Sequence, residues 1–197
     1  IYRHRPTSSL LGADETYCNP LPFPISTVGP MARTPRDLAL LLETMSNHSF
    51  DAATVNGMPL EGMRIGWLGD WGGAFPLETG IQELCRHALA KFNEVGVSIQ
   101  DVKEPLFDAA RLWESWTTIR SKIISTTAVD EYGRDAFVGS HVRVKKEFVW
   151  EVERGIELCD EQVQEVTAIA NQWSCCALDA FEEYDAIALP AAQVWPF

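Results

Sequence analysis

MRIGWLGDWGGAFPLETGIQELCRHALAKFNEVGVSIQDV, residues Met63–Val102, is the stretch from which the fold can be read. Met63–Leu68 is a short, mostly apolar run of the kind a buried strand uses, and Gly69-Asp70-Trp71-Gly72-Gly73 turns the chain behind it. Ile81, Leu84, Cys85, Ala88, Leu89, Phe92 and Val95 then recur at helical spacing, and Gly96 stands where a helix C-cap belongs. Val97–Val102 alternates apolar and polar residues as a strand does. Strand, helix and strand in this order predict a right-handed βαβ crossover with parallel strands, Leu84, Leu89 and Phe92 facing the sheet. The glycine-rich turn is not a phosphate cradle. Its spacing does not fit G-x-G-x-x-G, and no lysine follows it as in a P-loop.

Downstream, Glu104–Leu158 reads as predominantly helical, with a break at Tyr132-Gly133-Arg134. Leu106, Ala109, Ala110, Trp113, Trp116 and Thr117 line one face, and Ile119, Ile123 and Ile124 extend it. Aromatic stripes at this spacing are more often core than pocket. An insertion between sheet elements is also a common way to wall a substrate cleft. Glu161–Phe181 forms a further helix with Val163, Val166, Ile169, Ala170 and Trp173 on one side. Glu182-Glu183-Tyr184-Asp185 reads as solvated loop, because acids there oppose the helix dipole. Ala186–Leu189 is expected to be a buried strand running into Pro190–Phe197.

Upstream, Ser26–Leu42 reads STVGPMARTPRDLALLL. Gly29 tolerates positive φ and Pro30 fixes φ near −65°, so the pair punctuates the chain. Thr34 sits where an N-cap belongs, with Pro35 first in the helix and Asp37 third, facing the positive end of the dipole. Leu38, Leu41, Leu42 and Met45 follow at helical spacing, a stripe aimed at a core over a Pro35–Ser46 helix. Asn47–Leu60 is a loop with turn signals at Asn56-Gly57 and Met58-Pro59. Residues 1–25 read as irregular, since the prolines of Arg5-Pro6 and Pro20–Pro24 remove donors and restrict their neighbours.

The chain has 197 residues, enough for one domain with a real core. No apolar run approaches the roughly 20 residues of a membrane helix. Its 28 acids against 16 bases give a net charge of −12, which repels phosphate backbones and argues against direct nucleic-acid binding. Cys18, Cys85, Cys159, Cys175 and Cys176 form no CxxC pair, so neither a disulfide scaffold nor a zinc site is indicated. A reducing cytoplasm is the simplest home for such thiols. Ile1 in place of a methionine, and a stop at Phe197 within an apolar run, read as the cut ends of a longer polypeptide.

His4, His48, His87 and His141 make no ligand pattern, and no G-x-S-x-G elbow occurs. By motif alone this is a soluble α/β piece with no placed nucleophile. GPMART followed by DLALLL, however, resembles the segment of amidase-signature hydrolases that lies downstream of their catalytic serine. Arg5-Pro6-Thr7-Ser8 resembles the end of the stretch after the serine loop, although His4 and Ser9 stand where a glycine is common. Asp185–Phe197, DAIALPAAQVWPF, resembles the family's late strand and pocket-side loop, and Leu60–Val97 fits it less closely.

The resemblance implies an α/β fold, a mixed β-sheet flanked by helices, with residues 1–197 the downstream part of one such domain and 104–160 a helical insertion. It implies hydrolysis of a carboxylic amide by a Ser–cis-Ser–Lys triad, with backbone N–H groups of a Gly-Ser-rich loop holding the oxyanion. The triad is expected before Ile1, so no catalytic residue is carried onto this chain. Gln193 and Trp195 are expected to wall the substrate pocket, with no cofactor and no metal. The implied partners are a small-molecule amide and the remainder of the amidase domain, without nucleic acid or membrane, a homodimer being left open. Two other readings stay open: a non-catalytic truncated family member serving as an interaction module, and the amide-hydrolysing subunit of a tRNA-dependent amidotransferase.

Overall fold

The computed structural model describes residues 1–6, 10–11, 28–49, 59–102, 106–137 and 143–196. These fall into two compact units, one of residues 1–59 with 127–133, the other of residues 60–126 with 134–197. The expected turn at Asn56-Gly57, together with Cys18 and His141, lies outside the described residues.

In the first unit β1 (Tyr2–Arg3) pairs antiparallel with β2 (Met31–Ala32), Tyr2 opposite Ala32 and Arg3 opposite Met31. The N-terminal residues therefore carry a short strand where an irregular segment was expected. Their ladder is local and leaves no period to read. Gly29 is needed here for closeness, not for positive φ. A Cβ there would run into the His4 carbonyl and the Pro6 ring, and the neighbouring Pro30 is fully buried. Helix α1 (Pro35–Ser46) begins as its sequence dictates, with Thr34 Oγ1 accepting from the Asp37 N–H at 3.1 Å. Leu38, Leu42 and Met45 are only half-buried and Leu41 is exposed, so among the described residues the stripe closes over no core.

The second unit carries the predicted crossover. β3 (Arg64–Trp67), α2 (Ile81–Ala90), a 3-10 turn (Lys91–Val95) and β4 (Ser98–Asp101) follow in order, and β3 and β4 are parallel, Ile65 opposite Ile99. Gly96, at φ +83°, closes the turn and donates its N–H to Asn93 O. β5 (Ala186–Ala188) lies parallel on the other side of β3, giving the order β4-β3-β5. It is half-buried, not buried as expected, because it forms one edge of this three-stranded sheet.

Side-chain alternation sends Trp67, the last residue of β3, and Leu68, the next residue, to different neighbours. Trp67 lies under the Arg86 guanidinium of α2, 5.7 Å from ring centre to carbon. Leu68 joins Trp71, Ala109, Trp173 and Ile187 in the core on the opposite face. That face is covered by α3 (Ala109–Tyr132) and α5 (Asp160–Glu183). The outer face of α2 corrects the sequence reading. Ile81 is buried, and Cys85 and Leu89 are half-buried one and two turns on, but Leu84 is 55% exposed and Phe92 is also exposed. Burial follows the i, i+4, i+8 line through Ile81 and not the centre of the broad stripe.

Helix α4 (Lys146–Glu157) packs on α3 through small residues. Gly155 meets Ser121 and Ser125 so closely that a Cβ would collide with the Ser121 carbonyl. Arg154 donates to Thr118 Oγ1 at 2.9 Å, and Arg120 pairs with the buried Glu151 at 3.0 Å. Ser115 Oγ donates to Val166 O at 2.6 Å and ties α3 to α5. Trp113 and Trp116, expected inward, stack on each other at 5.3 Å on the exposed side of α3. At this level the buried side of α3 carries Ser115, tied to α5, and the indoles take the outer side. Tyr184 and Asp185 are not simply solvated either. The Tyr184 ring fills the space over Gly66, and Asp185 Oδ2 accepts from the Arg64 N–H at 2.8 Å.

Candidate functional site

The strand order reverses at β3: the crossover through α2 goes to β4 on one side, while β5 takes the other. In open parallel α/β sheets such a reversal leaves a crevice beyond the carboxyl ends of the strands, where ligands bind. Here the loops in question are Leu68–Gly80, leaving β3, and Leu189–Pro196, leaving β5.

The first loop is held from inside. Trp71 is buried with φ +59°, a conformation rare for a bulky residue. Its indole Nε1 donates to Phe107 O at 2.8 Å, and its ring meets Trp173 at 5.0 Å and Phe75 at 6.0 Å. Asp70 Oδ1 accepts from the Gly73 N–H at 2.9 Å and Leu68 O from the Trp71 N–H at 3.1 Å, bonds internal to the glycine-rich turn. Beneath it Trp67 Nε1 is buried, with no hydrogen-bond partner among the described residues.

The second loop is laced to the first. Gln193 O accepts from the Glu78 N–H at 2.9 Å, and Gln193 Nε2 donates to Pro76 O at 3.0 Å. Trp195 donates its backbone N–H to Glu78 Oε2 at 2.9 Å and its indole N–H to Thr79 O at 3.2 Å. The ring edge lies over Gly80, at φ +92°, where a Cβ would stand 3.5 Å from Cζ2. Both sequence-derived candidates are thus on one strap, exposed, at the carboxyl end of the sheet, with their donors engaged by residues 76–79. Glu78 and Gly80 carry no motif that singles them out. Their partners lie more than a hundred positions away, and only the chain's return through β5 brings them together.

The groups whose protonation the fold clearly shifts lie elsewhere. Burial, and next the Glu183 carboxylate, pushes the Tyr184 phenol up at the start of β5. Hydrogen bonds from its own backbone N–H and from Cys159 pull Glu161 down in the first turn of α5. Between α3 and α4 lies a separate open cleft of about 450 Å³, lined by Arg120, Lys146, Glu147, Trp150 and Glu151. Among the described residues no group of three or more His, Cys, Asp or Glu is placed to hold a metal ion, and no helix is long and apolar enough to cross a membrane.

The strand-order reversal with its laced loops defines an α/β unit, and comparison gives its family. The chain belongs to the amidase family, whose model matches residues 1–197. Among solved structures it is similar to a bacterial aryl acylamidase of the amidase-signature family, with 20% identity and a TM-score of 0.72 over 86% of this chain and 37% of that one. It is also similar to a structure described as an amidase, at 17% identity and TM-score 0.65, covering 84% of this chain and 35% of that one. A third is 6-aminohexanoate cyclic dimer hydrolase, at 19% identity and TM-score 0.58, covering 78% and 34%. The chain therefore spans little more than a third of these relatives. No curated protein matches it by sequence.

Proposed function

We propose that this chain is part of a hydrolase that cleaves carboxylic amide C–N bonds, supplying core and pocket walls but not the nucleophile. The family match over residues 1–197 carries the reading. The likeness to an aryl acylamidase over most of the chain supports the same fold. In the proposed reaction a serine hydroxyl outside this segment attacks the amide carbonyl. A lysine, acting through a second serine in a cis peptide, takes the hydroxyl proton and returns it to the departing amine or ammonia. Water then releases the acid from the acyl-enzyme. Backbone N–H groups aimed at the developing oxyanion supply the main electrostatic stabilisation.

In this reading residues 189–196 form one wall, with Trp195 offering a flat apolar surface and Gln193 shaping the rim. No metal or organic cofactor takes part. The test is release of amine or ammonia from aryl and aliphatic amides by a complete amidase domain containing this segment. Turnover that is lost when its triad serine is replaced supports the reading; a folded domain that turns over none of the panel contradicts it.

A further inference from the structure

The strap at residues 193–195 does more than close a loop. Glu78 engages it in both directions, donating its N–H to Gln193 O and accepting the Trp195 N–H on Oε2, each at 2.9 Å. A carboxylate acceptor makes the second bond the stronger kind. With Thr79 O holding the indole N–H at 3.2 Å, the Trp195 ring is fixed at its backbone and at its far nitrogen. Trp195 remains 42% exposed as a residue, at the end of the sheet where the strand order reverses. The ring edge rests near Gly80, whose φ of +92° is one that glycine adopts without strain. Gln193, by contrast, has its side-chain donor on Pro76 O, so of the two it is the ring that presents surface to a ligand.

We propose that Glu78 is a positioning residue that sets the Trp195 ring as a specificity wall for the acyl or aryl group of an amide substrate, an inference that rests on the amide-hydrolase reading above. Loss of the carboxylate frees the Trp195 backbone, and the wall moves for large substrates while small ones never reach it. Binding differences of this size in an apolar pocket are worth about tenfold in relative kcat/KM.

The experiment compares Glu78→Ala, Glu78→Gln and Trp195→Ala in the complete domain, using one bulky aryl amide and one small aliphatic amide. Hydrogen exchange at the Trp195 amide is followed in the same proteins. The proposal requires faster Trp195 exchange in Glu78→Ala, a roughly tenfold change in the ratio of the two kcat/KM values, the same direction of change in Trp195→Ala, and near-normal behaviour in Glu78→Gln, which keeps an acceptor. An unchanged ratio despite faster exchange overturns it and leaves the strap a structural tie. Should Glu78→Ala not fold, Trp195→Ala decides through the same ratio. A wild-type domain that hydrolyses neither amide removes the underlying reading, an outcome distinct from an active enzyme with an unmoved ratio.

Discussion

Trp71 donates its indole N–H to the carbonyl oxygen of Phe107 at 2.8 Å, joining the loop that leaves β3 to the segment that leads into α3. The bond spans 36 positions and holds a residue at φ +59° in the core of the second unit. Trp71→Phe keeps much of the ring but leaves the Phe107 carbonyl without that donor. It should cost about 1–3 kcal/mol. Denaturant unfolding checks this, and a cost below about 0.5 kcal/mol, typical of surface sites, contradicts it.

Gly155→Ala should destabilise the chain although it raises helix propensity. Propensity favours alanine by about 1 kcal/mol. The added Cβ, however, meets the Ser121 carbonyl and the Ser125 side chain, and backbone cannot step aside cheaply. Overpacking of this kind costs about 1–3 kcal/mol. A midpoint of unfolding that rises on substitution contradicts the packing of α4 on α3.

On α2 the two faces separate cleanly. Ile81→Ala should cost about 2–5 kcal/mol through lost burial and a cavity, because Ile81 is buried. Leu84→Ala should stay within about half a kcal/mol in this chain, as surface substitutions do. The reverse ranking in thermal or denaturant unfolding would restore the sequence-based orientation of the helix.

Thr34→Ala should lower stability by about 0.5–2 kcal/mol, the cost of a lost N-cap acceptor. The Asp37 N–H it serves is at 3.1 Å. In a complete amidase the turnover per folded molecule should survive. A collapse of turnover with stability intact would move Thr34 into the chemistry.

Much of the fold was legible because its signals are local. The crossover of residues 63–102 shows strand-like runs either side of a helical period, with Gly96 at the stop, and Thr34-Pro35 spells out a helix start. The direction in which each helix faces was less legible. The α2 stripe is too wide to say which edge turns in, and Leu84 lies on the wrong one. In α3 the buried face includes Ala109 and Ile119, which the apolar pattern does announce, but also Ser115, Thr118, Ser121 and Ser125, which it does not, while the indoles of Trp113 and Trp116 lie outward. Of the candidate strap, Gln193 and Trp195 could be named from a strand end, but Glu78, Thr79 and Gly80 became relevant only through tertiary contact.

The central claim, that this segment walls an amidase pocket without supplying the nucleophile, is tested most directly by trapping. A complete amidase containing the segment is treated with a phosphonofluoridate that reacts with activated serines, and the modified peptide is mapped by mass spectrometry. The account predicts a single adduct on a serine outside residues 1–197, with amide hydrolysis lost in proportion. An adduct on a serine within this segment, or amide hydrolysis that persists with that serine fully modified, would contradict it.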